Sequence, residues 1–528
     1  MRPLFLILIT ILSLSCNQEP KESASTNFEK DLFTLQEYFR IPGMAALITQ
    51  KGEIIYENYF GFADLETRRL VDSTTIFPIN SLTKTYAAVL FMQLVEEGKV
   101  DLTEPVNRYL EDSNLSDSVQ IKHLLSHTSE GTPGGFFNYS GSRYYLLTEV
   151  LEKISGESIS QRMTDKILSP NGLDNTFPLG NRATLDSLAN RLAKLYSYSD
   201  KLEEGRGRDR ISAASGLLAT VRDVARFDNA LAKGKLVSSK SKREMFTPYA
   251  SSIGDSPYGF GIFLQTFLGK QIKWGYGQGE YASSLLVKIP EDDITLILMA
   301  NNNLMSDPAR LINGDLTYSL FALSFLKHFV FDMPTKLDWA SFDAIDELGV
   351  DIKNEYGSFY RQELLASAMA AKFIGYGDSA KIDKCKELTA YALKNFPDSE
   401  HYGNQSLMML LSDLAAEFNV TDFDKELVHV GEVLLAKNPL DPYVNISLGS
   451  YYNKRNKPEK AIVYYRRIAD VDNYNSRAWF WVFSLYYAGE YYRDRDPKLA
   501  RQYFQKIVDI NWNLSGLLDK AKEELKHL

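Results

Sequence analysis

Segments typical of β-strands occur only in about the first 300 residues of this 528-residue chain. Two apolar runs, Met44–Thr49 and Glu53–Phe60, form a hairpin-like pair, and a long helical stretch follows them. Strand-like runs then return at Gly259–Phe267, Ser283–Ile289 and Asp293–Ala300. Strands this far apart in sequence can complete one antiparallel sheet. The front of the chain is therefore predicted to be an α+β domain.

The second half of the sequence predicts helices alone, with prolines at intervals. The spacing of a tetratricopeptide repeat (TPR) is found at Leu448, Gly449, Tyr452, Ala461, Tyr465 and Ile468, and a second copy at Trp479, Val482, Tyr486, Ala500, Phe504 and Val508. In such repeats small residues let two antiparallel helices approach, and aromatic residues fill the groove between hairpins. An all-α, TPR-like domain is predicted, with unrelated helices of chance spacing as the alternative.

The length of the chain predicts two domains, because one hydrophobic core rarely organises so many residues. The predicted boundaries are a signal peptide at 1–16, a polar tether at 17–27, the α+β domain at 28–330, a polar and acidic linker at 331–355, and the helical-repeat domain at 356–528.

The N-terminus begins with an apolar run, Leu4–Leu12, that is too short to span a bilayer but suits a signal peptide. It ends at Ser13-Leu14-Ser15-Cys16, which resembles a bacterial lipoprotein signal. The resemblance implies lipidation of Cys16 and a lipid-anchored protein of the cell envelope, periplasmic or surface-facing. Ser13 stands where such signals usually have Leu, so plain secretion and a buried N-terminal helix remain alternatives.

Composition excludes several classes of partner and cofactor. A net charge of -9 without basic clusters argues against nucleic acid. Only Cys385 remains once Cys16 is removed or lipidated, so neither an intrachain disulfide nor a thiolate zinc site is expected. His123 and His127 lack a third metal ligand, and the glycines of 275–279 lack the spacing and following helix of a dinucleotide loop. We expect no metal and no cofactor.

An S-x-x-K sequence, Ser81 to Lys84, opens a predicted helix that runs to about Glu97. One helical turn places the serine hydroxyl and the lysine amine on the same face, where the amine can accept the serine proton. Ser239–Lys242 and Ser324–Lys327 satisfy the same pattern. Only Ser81 follows a strand-like run, Thr75–Ile79, and opens an apolar helix, which is the placement a nucleophile needs.

Five colinear segments resemble the β-lactamase-related serine hydrolases, a family that includes class C β-lactamases, D-alanyl-D-alanine carboxypeptidases and esterases. They are Gly61–Glu66, Ile76–Lys84, Ile121–Ser129, Ala214–Thr220 with Arg222-Asp223 after it, and Pro257–Gly261. The resemblance covers about residues 30 to 330. It implies a β-lactamase/transpeptidase-like antiparallel sheet flanked by helices, with Ser81 as nucleophile and Lys84 as its base.

The family's Tyr-x-Asn element corresponds here to Tyr139-Ser140-Gly141, which keeps the tyrosine and lacks the asparagine. The resemblance implies that Tyr139 is a second general base. A phenol needs a nearby cation such as Lys84 to act as a base at neutral pH. A packed aromatic residue is the alternative interpretation of Tyr139.

The family's third element, Lys-Thr-Gly or His-x-Gly, corresponds to Tyr276-Gly277-Gln278. It lacks the cation that would bind a substrate carboxylate, although Tyr276 can still donate a hydrogen bond. The resemblance also implies an oxyanion hole made by the Ser81 N–H and a backbone N–H near Gly279. His127 belongs to a structural turn in the family, so we do not expect it to form a catalytic triad.

The leading hypothesis is a hydrolase that forms an acyl-enzyme on Ser81 with an ester, an amide or a D-amino-acid peptide. The altered second and third elements favour an esterase or D-peptidase over a true β-lactamase. One alternative is an inactive scaffold whose repeats bind a protein partner. Another is that the repeats carry the function while the front domain senses a ligand.

Overall fold

A computed structural model describes residues 23–528 except 111–114, 181, 199–201, 206, 208–209, 252–253, 334–349, 375–378, 397–403 and 472–478. The predicted signal peptide, Cys16 and most of the predicted linker lie outside the described residues. Among the described residues, no helix is long and apolar enough to cross a membrane.

The described strands lie in the first 300 residues. They are β1 (Gly43–Gln50), β2 (Glu53–Asp64), β3 (Arg69–Leu70), β4 (Phe77–Pro78), β5 (Thr176–Pro178), β6 (Leu195–Tyr198), β7 (Leu202–Gly205), β8 (Leu217–Ala219), β9 (Ala250–Ser251), β10 (Gly254–Asp255), β11 (Phe263–Phe267), β12 (Lys270–Gln278), β13 (Ser283–Ile289) and β14 (Ile294–Ala300).

Helices fill the middle of the chain and its second half. They are α1 (Ala24–Tyr38), α2 (Thr83–Glu96), α3 (Ile121–Leu125), α4 (Gly141–Tyr145), α5 (Leu147–Ser155), α6 (Ile159–Met163), α7 (Arg182–Leu188), α8 (Val221–Ala232), α9 (Ser239–Met245), α10 (Leu320–Phe325), α11 (Val350–Ile374), α12 (Ser379–Asn395), α13 (Asn404–Ala416), α14 (Asp424–Lys437), α15 (Pro442–Lys454), α16 (Pro458–Ala469), α17 (Trp479–Tyr492), α18 (Pro497–Ile510) and α19 (Leu517–His527).

The main sheet has seven strands in the order β11-β12-β13-β14-β1-β2-β3. Strand β1, the first in the chain, pairs antiparallel with β14, the last in the chain, with Met44 opposite Ala300. The predicted hairpin of β1 and β2 turns at Lys51 and Gly52, both at positive φ (55° and 85°), a geometry that fits the right-handed twist of the strands. The sheet therefore brings together the two ends of the front domain, as expected from the sequence.

Both faces of the sheet are buried, so successive residues of a strand enter different cores. On β14, Ile297 and Met299 join the core around α2, whereas Leu296 and Leu298 join the core on the other face. Helix α2 is buried almost all round, which its uniformly apolar sequence requires. Packing against this face of the sheet thus fixes α2 and the N-terminal turn of that helix.

Caps and glycines set the bounds of three elements. Helix α1 begins at Ala24 because the Ser23 side chain accepts the Thr26 N–H and caps it. The segment Gly141–Ser155 forms two helices, α4 and α5, and the Ser140 side chain caps the first of them. Strand β11 begins only at Phe263, because Gly261 turns at φ 75° where its chain passes close to α2.

In the second half of the chain, neighbouring helices pack as hairpins at glycines. A Cβ atom on Gly449 of α15 would lie 2.7 Å from the Tyr465 ring on α16. A Cβ on Gly489 of α17 would lie 2.6 Å from the Phe504 ring on α18. Close approach at small residues is the packing expected of helical repeats, while the tetratricopeptide assignment itself stays a prediction.

Candidate active site

Ser81 lies in a short 3-10 turn, Asn80–Leu82, between strand β4 and helix α2. Asn80 has a positive φ of 46°, and its side-chain Nδ2 donates to the Ala282 carbonyl at 2.9 Å. The Ile79 N–H donates to the Leu217 carbonyl at 3.0 Å. The serine is thus held between the end of the main sheet and strand β8, at the start of a buried helix.

Lys84 lies one turn further along, and its side chain is buried with 1% of its surface exposed. Its Nζ donates to Ser81 Oγ at 2.9 Å and to the Ala214 carbonyl at 2.9 Å. The rings of Tyr139 and Tyr144 lie 5.1 and 5.4 Å from the same nitrogen. The amine is therefore fixed against the serine hydroxyl by hydrogen bonds and by aromatic faces.

The segments that the sequence analysis singled out converge on this turn. The Leu217 N–H, beyond Ala214, donates to Thr83 Oγ1 at 3.3 Å. From the other side, Thr85 Oγ1 donates to the Gly261 carbonyl at 2.7 Å. A Cβ on Gly261 would lie 2.6 Å from the Lys84 carbonyl oxygen, so only glycine fits there. Residues far apart in the sequence thus enclose the start of α2.

Tyr139 is half-buried and its hydroxyl lies near enough to the Ser81 side chain to interact with it. Burial raises the pKa of Tyr139 above its ordinary value, and the interaction with Ser81 offsets only part of that rise. Near neutral pH the phenol therefore keeps its proton. Ser81, Lys84 and Tyr139 are brought together, with Tyr139 in the form that can donate a proton.

His127 supports the segment that carries Tyr139. Its carbonyl accepts the Asn138 N–H at 2.8 Å and its Nδ1 accepts the Ser140 N–H at 3.1 Å, so it holds the residues on both sides of Tyr139. The two rings also pack together, with centroids 4.2 Å apart. His127 Nε2 is buried without a hydrogen-bond partner among the described residues. This geometry fits a supporting turn.

The third element lies at the end of β12, and its residues face different surroundings. The Tyr276 ring is buried among Phe263, Trp274 and Tyr139, and does not line the cleft above Ser81. A Cβ on Gly277 would lie 2.0 Å from the Ile79 carbonyl, so the absence of a side chain lets the strand pack directly against the nucleophile turn.

Two details at this strand end differ from what the sequence suggested. The Gly279 N–H donates to the Ala282 carbonyl at 2.9 Å within a tight turn, so it is not free to serve as the second oxyanion donor. Gln278, the last residue of the predicted third element, lines the cleft in place of Tyr276, and its Nε2 donates to Asp307.

Comparison with known proteins places this architecture in a family. The family model described as Beta-lactamase matches residues 32–317, more than half of the chain. The chain belongs to the beta-lactamase family. Penicillin-binding protein 4* of Bacillus subtilis (strain 168) is 25% identical over 366 residues, which cover 60% of this chain and 77% of that protein. Esterase EstB of Burkholderia gladioli is 38% identical over 96 residues, or 17% of this chain and 24% of the esterase.

A solved structure has the same fold. The octameric penicillin-binding protein homologue from Pyrococcus abyssi superposes with a TM-score of 0.53 at 22% identity, over 64% of this chain and 81% of that one. The predicted fold class is confirmed: a beta-lactamase/transpeptidase fold with an antiparallel sheet, followed by an all-helical region. The predicted membership of a serine hydrolase family is confirmed with it.

The cleft of this beta-lactamase family member has a volume of about 660 Å³ and opens above Ser81. Its described lining contains one basic side chain, Lys84, which is bound to Ser81, and one carboxylate, Glu280. The described lining of this cleft therefore has no second basic group to grip a substrate carboxylate. Lys194 and Arg210 line an adjoining cavity that shares Asn80 and Gly207 with the cleft. The described part of the chain also contains no group of three or more His, Cys, Asp or Glu side chains suited to a metal ion.

Proposed function

We propose that the protein is a serine hydrolase that works through an acyl-enzyme on Ser81. The observation that carries the proposal is the contact of Lys84 Nζ with Ser81 Oγ at 2.9 Å, in a buried position where the amine also donates to the Ala214 carbonyl. Nucleophile and base within hydrogen-bond reach, with the base oriented by a third group, is the arrangement of covalent catalysis.

The proposed reaction divides the proton transfers between two residues. Lys84, as the neutral amine, accepts the Ser81 proton as Oγ attacks the substrate carbonyl. Tyr139, which keeps its proton near neutral pH, passes that proton to the leaving group and takes one back from Lys84. The Ser81 N–H is one donor to the oxyanion, and the second comes from the chain after Gly279. Water then releases the acyl group from Ser81.

The proposed substrates are esters, amides or D-amino-acid peptides without an essential carboxylate beside the scissile bond. The cleft supports this choice, since its described lining contains the Glu280 carboxylate and no basic side chain besides Lys84. Penicillin-binding protein and esterase relatives support an esterase or D-peptidase over a β-lactamase. From the sequence alone, we further propose a lipid anchor at Cys16 that holds the enzyme in the bacterial cell envelope.

The test is covalent labelling of the soluble chain from residue 17 onward with a fluorophosphonate, followed by intact-mass analysis. We expect one adduct per folded molecule and none on Ser81→Ala. A folded wild-type protein that takes no adduct would refute the proposal, as would an adduct of equal amount on Ser81→Ala.

The other two S-x-x-K sequences provide matched controls. Ser239→Ala and Ser324→Ala remove the serine of the same motif elsewhere, and both variants should label like the wild type. Tyr139→Phe keeps the ring and removes the hydroxyl, so it should fold normally. Its turnover of an ester substrate should fall about 10²-fold or more, the usual contribution of a general acid or base. Unchanged turnover would exclude Tyr139 from the proton transfer.

A further inference from the structure

The segment that carries Tyr139, which we call the Tyr139 loop (residues 128–140), is short of internal structure. It contains three glycines in five residues, 131–135, and at its tip the Gly134 N–H donates to the Thr128 carbonyl and the Gly135 N–H to the Thr132 carbonyl. A buried ion pair joins Glu130 of the loop to Arg143 just beyond it, with 3.1 Å between Oε1 and Nε. Glycines give the tip conformational freedom that something else must remove.

The Phe136 side chain points away from the front domain and is buried in the helical region. It is 3% exposed and belongs to an apolar cluster built from α15 to α19, with members such as Ile446, Ile462, Phe480 and Phe504. All other buried members of that cluster in the described part of the chain lie between residues 446 and 521. The next residue faces the other way, since the Phe137 ring contacts His127 and Tyr258 of the front domain.

The Tyr139 loop is thus attached both to the front domain, through His127, Phe137 and the Glu130–Arg143 pair, and to the helical region, through Phe136. His127 holds its end by hydrogen bonds on both sides of Tyr139, and Phe136, three residues earlier, is buried in the helices. We propose that Phe136 is a positioning residue through which the helical region, residues 356–528, holds the Tyr139 hydroxyl at Ser81. The inference rests on the proposed hydrolase function and gives the helical region a part in it.

The size of the effect follows from the geometry of catalysis. A reacting group displaced by about 1 Å can lose about 10²-fold in rate. Without the Phe136 ring, the glycine-rich tip regains its freedom, and the Tyr139 hydroxyl spends less time at Ser81 Oγ. Substrate binding, which depends on the cleft residues and not on Phe136, should change little.

The experiment compares Phe136→Ala and Phe136→Leu in the chain from residue 17 onward. For Phe136→Ala we expect the maximal rate of fluorophosphonate labelling, and kcat for an ester, to fall about tenfold or more. KM should stay within about twofold. Phe136→Leu keeps most of the apolar volume and should recover most of the rate. A wild-type kcat in Phe136→Ala would overturn the proposal.

The matched control is Phe504→Ala, which removes a ring of the same size from the same cluster, where that ring packs on Gly489. It should lower the melting temperature to a similar degree, yet label at the wild-type rate well below that temperature. If the two variants lose labelling in equal proportion to their lost stability, Phe136 has a structural role alone and the positioning proposal is wrong.

Hydrogen–deuterium exchange tests whether Phe136 holds the Tyr139 loop, independently of catalytic activity. The N–H groups of Asn138 and Ser140 are hydrogen-bonded to His127 and should exchange faster in Phe136→Ala than in the wild type or in Phe504→Ala. Unchanged exchange would overturn the anchoring role. A wild-type protein that does not label at all would instead refute the hydrolase function, and the exchange data would still decide whether Phe136 holds the loop.

Discussion

Two histidines at the base of the site act through nitrogens that must stay unprotonated. His127 Nδ1 accepts the Ser140 N–H, and His123 Nδ1 accepts the Gln120 N–H at the start of α3. Burial, together with the charge of Lys84, lowers the pKa of His127 well below its ordinary value. Burial, with a smaller effect of Lys122, lowers the pKa of His123 to about 4. Both imidazoles are therefore neutral in the folded protein.

These two residues make stability depend on pH. As the pH falls below 6.5, the unfolded chain takes up a proton at His123 that the native state refuses until about pH 4. The stability that the neutral His123 contributes is fully present above pH 6.5. Below that pH it is lost at about 1.4 kcal/mol per pH unit, so that roughly 3 kcal/mol is lost by pH 4. We expect the free energy of urea unfolding to fall in this window, with a further share from His127.

Substitutions separate this effect from general acid denaturation. The glutamine of His123→Gln cannot titrate, so the free energy of unfolding of this variant should fall less steeply between pH 6.5 and 4. The difference in slope should be that of one proton, about 1.4 kcal/mol per pH unit. His527→Gln changes an exposed residue at the C-terminus and should keep the wild-type slope. Equal slopes in all three proteins would show that His123 is not kept neutral by the fold.

Residue patterns in the sequence predict local geometry better than orientation at a strand end. Ser81 and Lys84 are related by one helical turn, so their spacing alone predicts that they meet. The face of β12 is different, because alternation says which residues share a side but not which side meets the cleft. Tyr276 and Gln278 share a face, yet only Gln278 at the strand end lines the cleft. The Gly279 N–H is taken by a turn that no motif indicates.

At the scale of elements, sequence signals were reliable where a cap or breaker adjoins the element. Helix α8, Val221–Ala232, is bounded by such signals, because the Thr220 side chain accepts the Asp223 N–H at its start and Gly234 follows its end. Strand β12 had no separate prediction, since the glycines at 275 and 277 weaken a strand pattern. Those glycines face Leu82 and Ile79, so tertiary packing explains them.

The helical hairpins depend on glycine at their crossing points, and Gly449→Ala tests this. The added methyl group would lie 2.7 Å from the Tyr465 ring, and overpacking of this kind costs about 1–3 kcal/mol. We expect a lower melting temperature by circular dichroism. The matched control is Gly357→Ala within α11, where the nearest atom, on the Phe396 ring, would be 3.5 Å away.

The control should be neutral or more stable, because alanine favours a helix over glycine by about 1 kcal/mol. Equal destabilisation of both variants would point to backbone flexibility as the cause. If Gly449→Ala is as stable as the wild type, α15 and α16 can move apart without loss of stability.

At the scale of the whole molecule, the front domain and the helical region share one core. The cluster on the second face of the sheet continues without interruption into α11 to α16. The Phe359 ring of α11 lies 5.9 Å from Phe267 of β11. Lys327 and Glu363 form a buried ion pair at 3.1 Å between the end of the front domain and α11. Burial raises the pKa of Glu363, while Lys327 opposes that rise.

A shared core predicts cooperative unfolding, although the sequence divides cleanly into two kinds of structure. Independent domains meet through modest, rather polar interfaces, and each can melt alone. Here residues 17–330 on their own would expose the apolar surface that α11 covers, around Phe267. We expect the chain from residue 17 to 528 to show one calorimetric transition.

The 17–330 fragment should aggregate, or melt well below that temperature, and should label poorly with fluorophosphonate. A shorter deletion that removes only α19 leaves this surface covered and should remain soluble. Two separate transitions, together with a soluble 17–330 fragment that labels at the wild-type rate, would show that the hydrolase needs the helices neither for stability nor for the position of Tyr139.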